Sequence, residues 1–375
     1  MRPPWMAEVS KWQDALFDLA TNASGREQAR SYGCDSVAPV PIELSMSAPN
    51  TPPFAGLSPD TIIKAVESLG IACDGRVLAL NSYENRVYRL GREEGAPLVA
   101  KFYRPNRWSD AAILEEHAFS AELRAAELSV VAPLAIGDRT LHHAEGFRFA
   151  LFPMQGGRAP EPGDKEALIH IGRALGRLHA IGAAAAFQHR PTLSVRTYAE
   201  EPVDYLLEAG WLPPELEENF LALGEQAINA IEHAFAFAGR FQTLRLHGDC
   251  HPGNLLWRDD TVHFVDLDDA LTGPAMQDLW MLLSGDRSAR AQQLGWLLEG
   301  YEIFRPFDRA ELHLIEALRA IRLLHYHAWI ARRWQDPAFP AAFPWFESPR
   351  HWEQVISQLQ EQLATMAEPV LVLPR

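Results

Sequence analysis

The segment from His247 to Asn254 reads His-Gly-Asp-Cys-His-Pro-Gly-Asn, and Asp266 follows twelve residues later. Between these positions two apolar runs flank the pair Asp259-Asp260, which is the pattern of a β-hairpin. Pairing about a centre near residue 260 puts Asn254 opposite Asp266, at the open end of the hairpin. An amide oxygen and a carboxylate are hard oxygen ligands suited to Mg²⁺. The pattern therefore predicts a metal site formed by Asn254 and Asp266.

Asp249 lies on the loop that leads into this hairpin, so its carboxylate is expected close to the same point. A carboxylate beside a two-ligand magnesium site is what phosphoryl transfer needs, because the carboxylate orients the acceptor hydroxyl and the metal neutralises charge between the phosphates. Asp and Asn are also frequent in turns. The full spacing, with the later aspartate, favours the catalytic interpretation.

The elements that must position these residues fall into two regions. Strand-like runs surround one charged helical stretch at about residues 110–127, and these runs cover residues 76–80, 86–90, 98–103, 131–136 and 147–152. Beyond Gly156 the periodicity is mostly helical. We therefore expect a disordered N-terminal extension over residues 1–55, rich in Ser, Pro and Ala towards its end, an N-lobe over 56–153 and a C-lobe over 154–375.

The composition excludes several classes of protein. The net charge is -15 among 375 residues, which argues against nucleic-acid binding and against a basic surface on anionic lipid. Three widely spaced cysteines make neither a disulfide framework nor a zinc site and suit a reducing compartment. No apolar run reaches the roughly 18 residues of a membrane span. We expect a cytoplasmic, monomeric protein without nucleic-acid or membrane partners.

The segments 246–251 and 265–270 resemble the catalytic and metal-binding loops of the aminoglycoside phosphotransferase and choline kinase-like superfamily, relatives of the eukaryotic protein kinases. A narrower likeness is to the bacterial stress response kinase A family. It rests on residues 81–88 (Asn-Ser-Tyr-Glu-Asn-Arg-Val-Tyr), 101–105 (Lys-Phe-Tyr-Arg-Pro) and 332–340. The likeness covers about residues 57–370. It implies an α+β, two-lobe protein kinase-like fold, with a small antiparallel-sheet N-lobe that holds one key helix and a larger, mainly helical C-lobe.

The resemblance also implies roles for individual residues. Asp249 would be the catalytic base, Asp266 a second catalytic residue, and Asn254 and Asp266 the Mg²⁺ ligands. Ser82 would lie in the loop that covers the nucleotide, although this loop has no glycine where protein kinases have a Gly-rich loop. The segment from Phe152 to Met154 would connect the lobes and bind adenine through its backbone.

Lys101 is one of only four lysines, whereas arginine supplies the other basic residues. Strand alternation places it on the same, covered face as Val99, where a lysine needs an anionic partner. In kinases such a lysine contacts the α- and β-phosphates and is held by a glutamate of the helix. Glu115 and Glu116 are the candidates, and the helical phase favours Glu116.

The family likeness implies an ATP- and Mg²⁺-dependent serine/threonine protein kinase of the bacterial stress response, which phosphorylates other proteins and itself. Two alternatives stay open. A small-molecule kinase for an amino alcohol or aminosugar would have an acidic acceptor cleft, to which Asp268 and Asp269 could contribute, although we expect Asp268 to be an exposed turn residue. A nucleotide-binding scaffold would bind ATP without transferring phosphate. We further expect His247 and Asp278 to hold the loop, and Cys250 to be a buried thiol.

Overall fold

The computed structural model describes residues 52–373. The first part of the chain forms a five-stranded antiparallel sheet with the strand order β1-β2-β3-β5-β4 and two helices. These elements are α1 (Pro59–Glu67), β1 (Cys73–Leu80), β2 (Arg86–Arg92), β3 (Leu98–Phe102), α2 (Asp110–Ala125), β4 (His142–Ala144) and β5 (Phe147–Pro153).

Helix α2 is the helix that the sequence predicts next to the sheet. Its first turn is capped by Ser109, whose side chain accepts a hydrogen bond from the backbone N–H of Ala112. Ile113, Phe119 and Leu123 are buried along one side. Because Glu116 lies in the same helical phase, its carboxyl group is carried into the interior with them.

The remainder of the chain is mainly helical, as predicted, with four short strands in two antiparallel pairs, β6 with β9 and β7 with β8. The helices are α3 (Lys165–Gly182), α4 (Glu201–Glu208), α5 (Pro214–Ala238), α6 (Met276–Trp280), α7 (Arg287–Tyr301), α8 (Ile315–Ala331), α9 (Ala338–Ala342) and α10 (Pro349–Met366). The strands are β6 (Thr243–Leu246), β7 (Leu255–Arg258), β8 (Thr261–Phe264) and β9 (Leu271–Pro274). The expected α+β, two-lobe architecture is confirmed, and we keep the proposed lobe boundary at the end of β5.

The main hydrophobic core lies in the C-lobe, where α3 packs on α7. This contact is close because Gly172 faces the backbone of α7, and a Cβ atom there would lie 2.0 Å from the carbonyl oxygen of Leu297. Helix α3 also packs against β6, whose residues Leu244 and Leu246 are buried. The loop that follows β6 therefore begins next to the main hydrophobic core.

One predicted strand is wrong. Residues 131–136 form no strand. Single bridges join Val130 to Phe264 and Ile136 to Arg139, and the Leu134 N–H donates to the carbonyl oxygen of Leu151 at 2.7 Å. The sheet instead takes its edge strand from His142–Ala144, which pairs with β5. Three residues are too few to show the alternation by which a strand is recognised in sequence.

The register of the hairpin formed by β7 and β8 also differs from the expected one. Leu255 pairs with Phe264, so Asn254 faces Val265, whose N–H donates to the Asn254 carbonyl oxygen at 3.1 Å. The turn residues Asp259 and Asp260 have φ angles of 50° and 55°. A two-residue turn of this kind is centred between its two residues, and this shifts the pairing by one position. Asp266 is thus the second residue after β8.

The predicted N-terminal extension lies outside the described residues except for residues 52–55. Within these, the Phe54 ring packs against the guanidinium of Arg86, 4.4 Å from its centroid. In the part of the chain from 52 to 373, none of the helices has both the length and the apolar character needed to cross a membrane.

Candidate active site

The loop after β6 is held by a buried carboxylate. Asp278 accepts hydrogen bonds from the backbone N–H groups of His247 and Gly248, each at 2.8 Å, and its Oδ2 lies 3.1 Å from His179 Nε2. The His247 ring donates from Nε2 to the carbonyl oxygen of Val265 at 2.9 Å. His247 and Asp278 therefore fix the loop backbone, as the sequence predicts, and neither faces the cleft.

Gly248 lets this loop touch the segment that carries Asp266. Its φ angle is +86°, and a Cβ atom would lie 2.0 Å from the carbonyl oxygen of Asp269. Only glycine combines this backbone conformation with so close an approach. The next residues are Asp249, which is partly exposed, and Cys250, which is fully buried and whose thiol has its pKa raised by burial.

Asp249 lies among positively charged and polar groups. Arg322, in the middle of α8, donates from Nη1 to Asp249 Oδ1 at 2.5 Å, and His251 Nε2 lies 3.6 Å from Oδ2. Burial alone would raise the pKa of the Asp249 carboxyl, but Arg322 and the neighbouring histidines lower the pKa well below its usual value. The carboxylate is therefore ionised at neutral pH.

Asn254 and Asp266 offer oxygen atoms that fit a divalent cation. The Asn254 side chain donates from Nδ2 to the Asp249 carbonyl oxygen at 2.9 Å, which leaves its Oδ1 without a hydrogen-bond donor among residues 52–373. Asp266 follows the hairpin with φ 58°, and its side chain is about half exposed. No group of three or more His, Cys, Asp or Glu residues in that range could hold a metal ion by itself. A hard cation would need phosphate or water oxygens besides these two ligands.

Lys101 is buried, as the strand alternation predicts, and contacts two carboxylates of the C-lobe. Its Nζ lies 2.7 Å from Asp266 and 3.2 Å from Asp268. Burial alone would lower the pKa of Lys101, but Asp266, Asp268 and Glu116 raise it above its usual value. The ammonium group is thus charged and links the sheet to the segment that follows β8.

The two candidate glutamates of α2 have different roles. Glu115 accepts hydrogen bonds from the backbone N–H groups of residues 188–190, at 2.6 to 2.9 Å, and so binds the C-lobe. Glu116 is buried near Lys101, and burial raises its pKa to about 7 although Lys101 opposes this shift. Among residues 52–373, Lys101 forms ion pairs within 4 Å only with Asp266 and Asp268, while Glu116 acts on it from farther away.

The expectation that Asp268 is an exposed turn residue is wrong. Its side chain is buried and contacts Lys101, the Arg107 guanidinium and the Asn85 amide, which donates at 3.1 Å. Arg107 also pairs with Asp269. The short helical turn Leu267–Asp269 directs Asp268 inward, a direction that the local sequence does not determine.

The loop between β1 and β2 is anchored by side chains where protein kinases have glycines. The Glu84 carboxylate accepts from Trp329 Nε1 at 2.6 Å and pairs with Arg333 and Arg104 at 2.5 and 2.8 Å. The Asn85 amide oxygen accepts from the Arg104 N–H at 3.1 Å. Ser82 lies half-buried in this loop.

The expected lobe connection begins at the end of β5. Phe152 is half-buried in the sheet, and Met154 is 43% exposed immediately after the strand. The structure thus places Phe152 and Met154 at the end of the sheet, and their contact with adenine stays a prediction.

Sequence reasoning missed a cluster of charged residues that joins three motifs it had noted separately. Asp336 accepts from Arg86 at 2.7 and 2.8 Å and from Arg104 at 2.6 Å. These residues belong to the segments 81–88, 101–105 and 332–340. The three segments resemble the same family, and this shared likeness could have indicated that they lie together. Arg322 had no such signal, because it lies in an ordinary helical pattern.

Comparison with known proteins identifies the family of this chain. Residues 76–315 match the model of the phosphotransferase enzyme family. Stress response kinase A of Escherichia coli O157:H7 is 46% identical over 320 residues, which cover 85% of this chain and 97% of that protein. Serine/threonine protein kinase RdoA of Salmonella typhimurium is 45% identical with the same coverage.

Solved structures share the fold at low sequence identity. The amicoumacin kinase hAmiN, in complex with AMP-PNP and Ca²⁺, superposes on this protein with a TM-score of 0.66 at 16% identity. The match covers 84% of this chain and 95% of the hAmiN chain. A microcompartment-associated aminopropanol kinase has a TM-score of 0.58 at 18% identity. The match covers 81% of this chain and 95% of the aminopropanol kinase chain. The chain therefore belongs to the phosphotransferase enzyme family, in the group that contains stress response kinase A.

Proposed function

We propose that this phosphotransferase uses ATP and Mg²⁺ to phosphorylate serine or threonine hydroxyls of proteins, including its own chain. The observation that carries the proposal is the meeting of Lys101, Asp266 and the Asp249 loop between the sheet and the helical lobe. A buried cation beside the phosphates and a carboxylate beside the acceptor are what phosphoryl transfer requires.

In the proposed reaction the acceptor hydroxyl lies against Asp249. The hydroxyl oxygen forms a bond to the γ-phosphorus of ATP, the bond from that phosphorus to the bridging oxygen breaks, and ADP leaves with the electron pair. The hydroxyl proton passes to the Asp249 carboxylate. Lys101 would bind the α- and β-phosphates, for which it must exchange its contact with Asp266 for phosphate oxygens.

Asn254 and Asp266 would hold the Mg²⁺, which supplies charge neutralisation between the phosphates when it is bound. The free Asn254 Oδ1 and the half-exposed Asp266 carboxylate support this assignment. Ser82 would contact the phosphates from the loop above, and Phe152 and Met154 would border the adenine.

A protein acceptor is supported by two observations. A relative 45% identical to this chain is named a serine/threonine protein kinase. In addition, Asp249 is paired with the guanidinium of Arg322, and Asp269 is paired with that of Arg107. An acidic cleft for an amino alcohol or aminosugar would need unpaired carboxylates.

The test compares the wild type with Asp249→Asn in incubations with γ-labelled ATP and Mg²⁺. Loss of the base should lower phosphate incorporation by about 10²- to 10⁴-fold, while the affinity for ATP stays within a factor of about three. Asp260→Asn is the matched control, because Asp260 is an exposed turn residue of the same hairpin whose positive φ asparagine tolerates. It should retain wild-type activity.

Each alternative predicts a different outcome. Phosphoserine or phosphothreonine in the chain, identified by mass spectrometry and absent from Asp249→Asn, supports the proposal. Release of ADP only when an amino alcohol or aminosugar is added supports the small-molecule kinase. Binding of ATP without ADP release with any acceptor supports the scaffold, and wild-type incorporation by Asp249→Asn excludes Asp249 as the base.

A further inference from the structure

Arg322 places an exposed cation directly beside the proposed catalytic base. Its side chain is 44% exposed, whereas that of Asp249 is 19% exposed. The guanidinium uses Nη1 for its hydrogen bond to Asp249 Oδ1 at 2.5 Å. Any acceptor that brings a hydroxyl to Asp249 must therefore pass close to this group.

Most donor positions of this guanidinium are unused. Within residues 52–373 the hydrogen bond to Asp249 is the only one that Arg322 makes, so Nε and Nη2 have no acceptor. A guanidinium carries five N–H donors in a planar fork and can bind a second anion while it keeps the first. The exposed edge of Arg322 has the geometry of an anion-binding group.

Further arginines lie near Arg322. His325, one turn further along α8, is kept neutral with a pKa of about 3 by burial and by nearby arginines, among them Arg322, Arg332 and Arg333. The nearby carboxylate Asp269 is paired with Arg107. Several guanidinium groups thus surround His325, although the whole chain carries a net charge of -15.

We propose that Arg322 selects the acceptor by binding a carboxylate next to the hydroxyl that is phosphorylated. The substrate class is then a protein segment in which a serine or threonine is followed or preceded by aspartate or glutamate. This inference rests on the proposed protein kinase function and deepens it. Acceptors with a positive charge next to the hydroxyl are disfavoured by repulsion.

The test uses three peptides that differ only beside the serine, where they carry Glu, Gln or Lys, and measures kcat/KM for each. The wild type should prefer Glu over Gln by about tenfold, the factor for one charge-assisted hydrogen bond, and should use the Lys peptide least. Arg322→Gln should abolish the preference, and Arg322→Lys should retain part of it. Arg350→Gln, which removes one exposed charge at the start of α10, should keep the wild-type preference.

The ratio between peptides separates selection from positioning. Because Arg322 also contacts Asp249, Arg322→Gln is expected to lower kcat on all peptides by a common factor, and this factor cancels in the ratio. The inference would be overturned if Arg322→Gln lowered kcat/KM equally on all three peptides and still preferred the Glu peptide. So would a wild-type preference for the Lys peptide.

A binding measurement keeps the inference testable if the proposed function fails. Peptides with alanine in place of the serine are titrated, by fluorescence anisotropy, into the protein with Mg²⁺ and AMP-PNP. Tighter binding of the Glu peptide that depends on Arg322 supports the inference even if no peptide and no residue of the chain is phosphorylated. Equal binding of the three peptides contradicts it whatever the transfer activity is.

Discussion

The guanidinium of Arg104 lies 2.6 Å from the carboxylate of Asp336, although 232 positions separate the two residues in the chain. Arg104 follows β3 in the N-lobe, and Asp336 follows α8 in the C-lobe. Arg86 donates to both oxygens of the same carboxylate. This buried ion-pair cluster therefore links the two lobes beside the loop that would cover the nucleotide.

Asp336→Asn should destabilise the protein and weaken nucleotide binding. It leaves Arg86 without the carboxylate that it pairs with and leaves Arg104 with Glu84 alone, and breaking a buried ion pair typically costs about 3–5 kcal/mol. Since Arg104 also holds Glu84, the KM for ATP should rise. Denaturant unfolding and initial rates measure the two effects.

Asp138→Asn is the control for this change, because Asp138 is almost fully exposed. Its free energy of unfolding should stay within about 0.5 kcal/mol of the wild type. If Asp336→Asn were equally mild, the cluster would not stabilise the contact between the lobes.

Lys101→Arg should lower kcat by about a hundredfold or more, a loss of the size seen when one electrostatic group is removed from an active site. The compact ammonium fits between Asp266 and Asp268, and a planar guanidinium cannot take the same position. Lys64→Arg and Lys165→Arg, both at exposed positions, should be nearly silent. The fourth lysine, Lys11, lies outside the described residues. Retention of more than a tenth of wild-type activity by Lys101→Arg would contradict the assignment.

Gly248→Ala should destabilise the protein by several kcal/mol and abolish phosphate transfer, because the added Cβ atom collides with the backbone of Asp269. Gly210→Ala separates this collision from backbone strain. Gly210 has a similar φ of +66°, but nothing lies within 4 Å of its added Cβ atom. Its cost should be only about 1–2 kcal/mol. Equal unfolding free energies of the two variants would mean that the loops do not touch.

Buried neutral histidines should make the protein less stable in mild acid. Burial and the nearby His327 lower the pKa of His351 to about 3. In the unfolded chain a histidine has a pKa of about 6.5, so between pH 7 and pH 5 the unfolded state binds the proton and stability falls as the pH falls. His351 alone should contribute about 2 kcal/mol to this loss.

His351→Asn should therefore reduce the difference in unfolding free energy between pH 7 and pH 5 by about 2 kcal/mol. The comparison of two pH values removes any constant cost of the substitution. His233→Asn, at an exposed position of α5, should leave the difference unchanged. An unchanged pH dependence in His351→Asn would show that this histidine is protonated in the folded state.

Local patterns predicted the helices and most strands of this protein, because apolar periodicity and capping residues act over a few neighbouring positions. The alternation in β3 placed Lys101 on a covered face, and the phase of α2 carried Glu116 inward. The pattern failed where an element is short, as at His142–Ala144, or where the register depends on the turn, as at Asp259 and Asp260.

The sequence by itself determined the residue types and the spacing of the proposed active-site residues, since Asp249, Asn254 and Asp266 belong to one continuous segment. Only the tertiary structure decided which charges meet. Lys101 contacts Asp266 and Asp268 across 165 and 167 positions, and Arg322 meets Asp249 across 73. Ion pairs form wherever folding brings opposite charges together at low exposure, and no local pattern in the sequence records that distance.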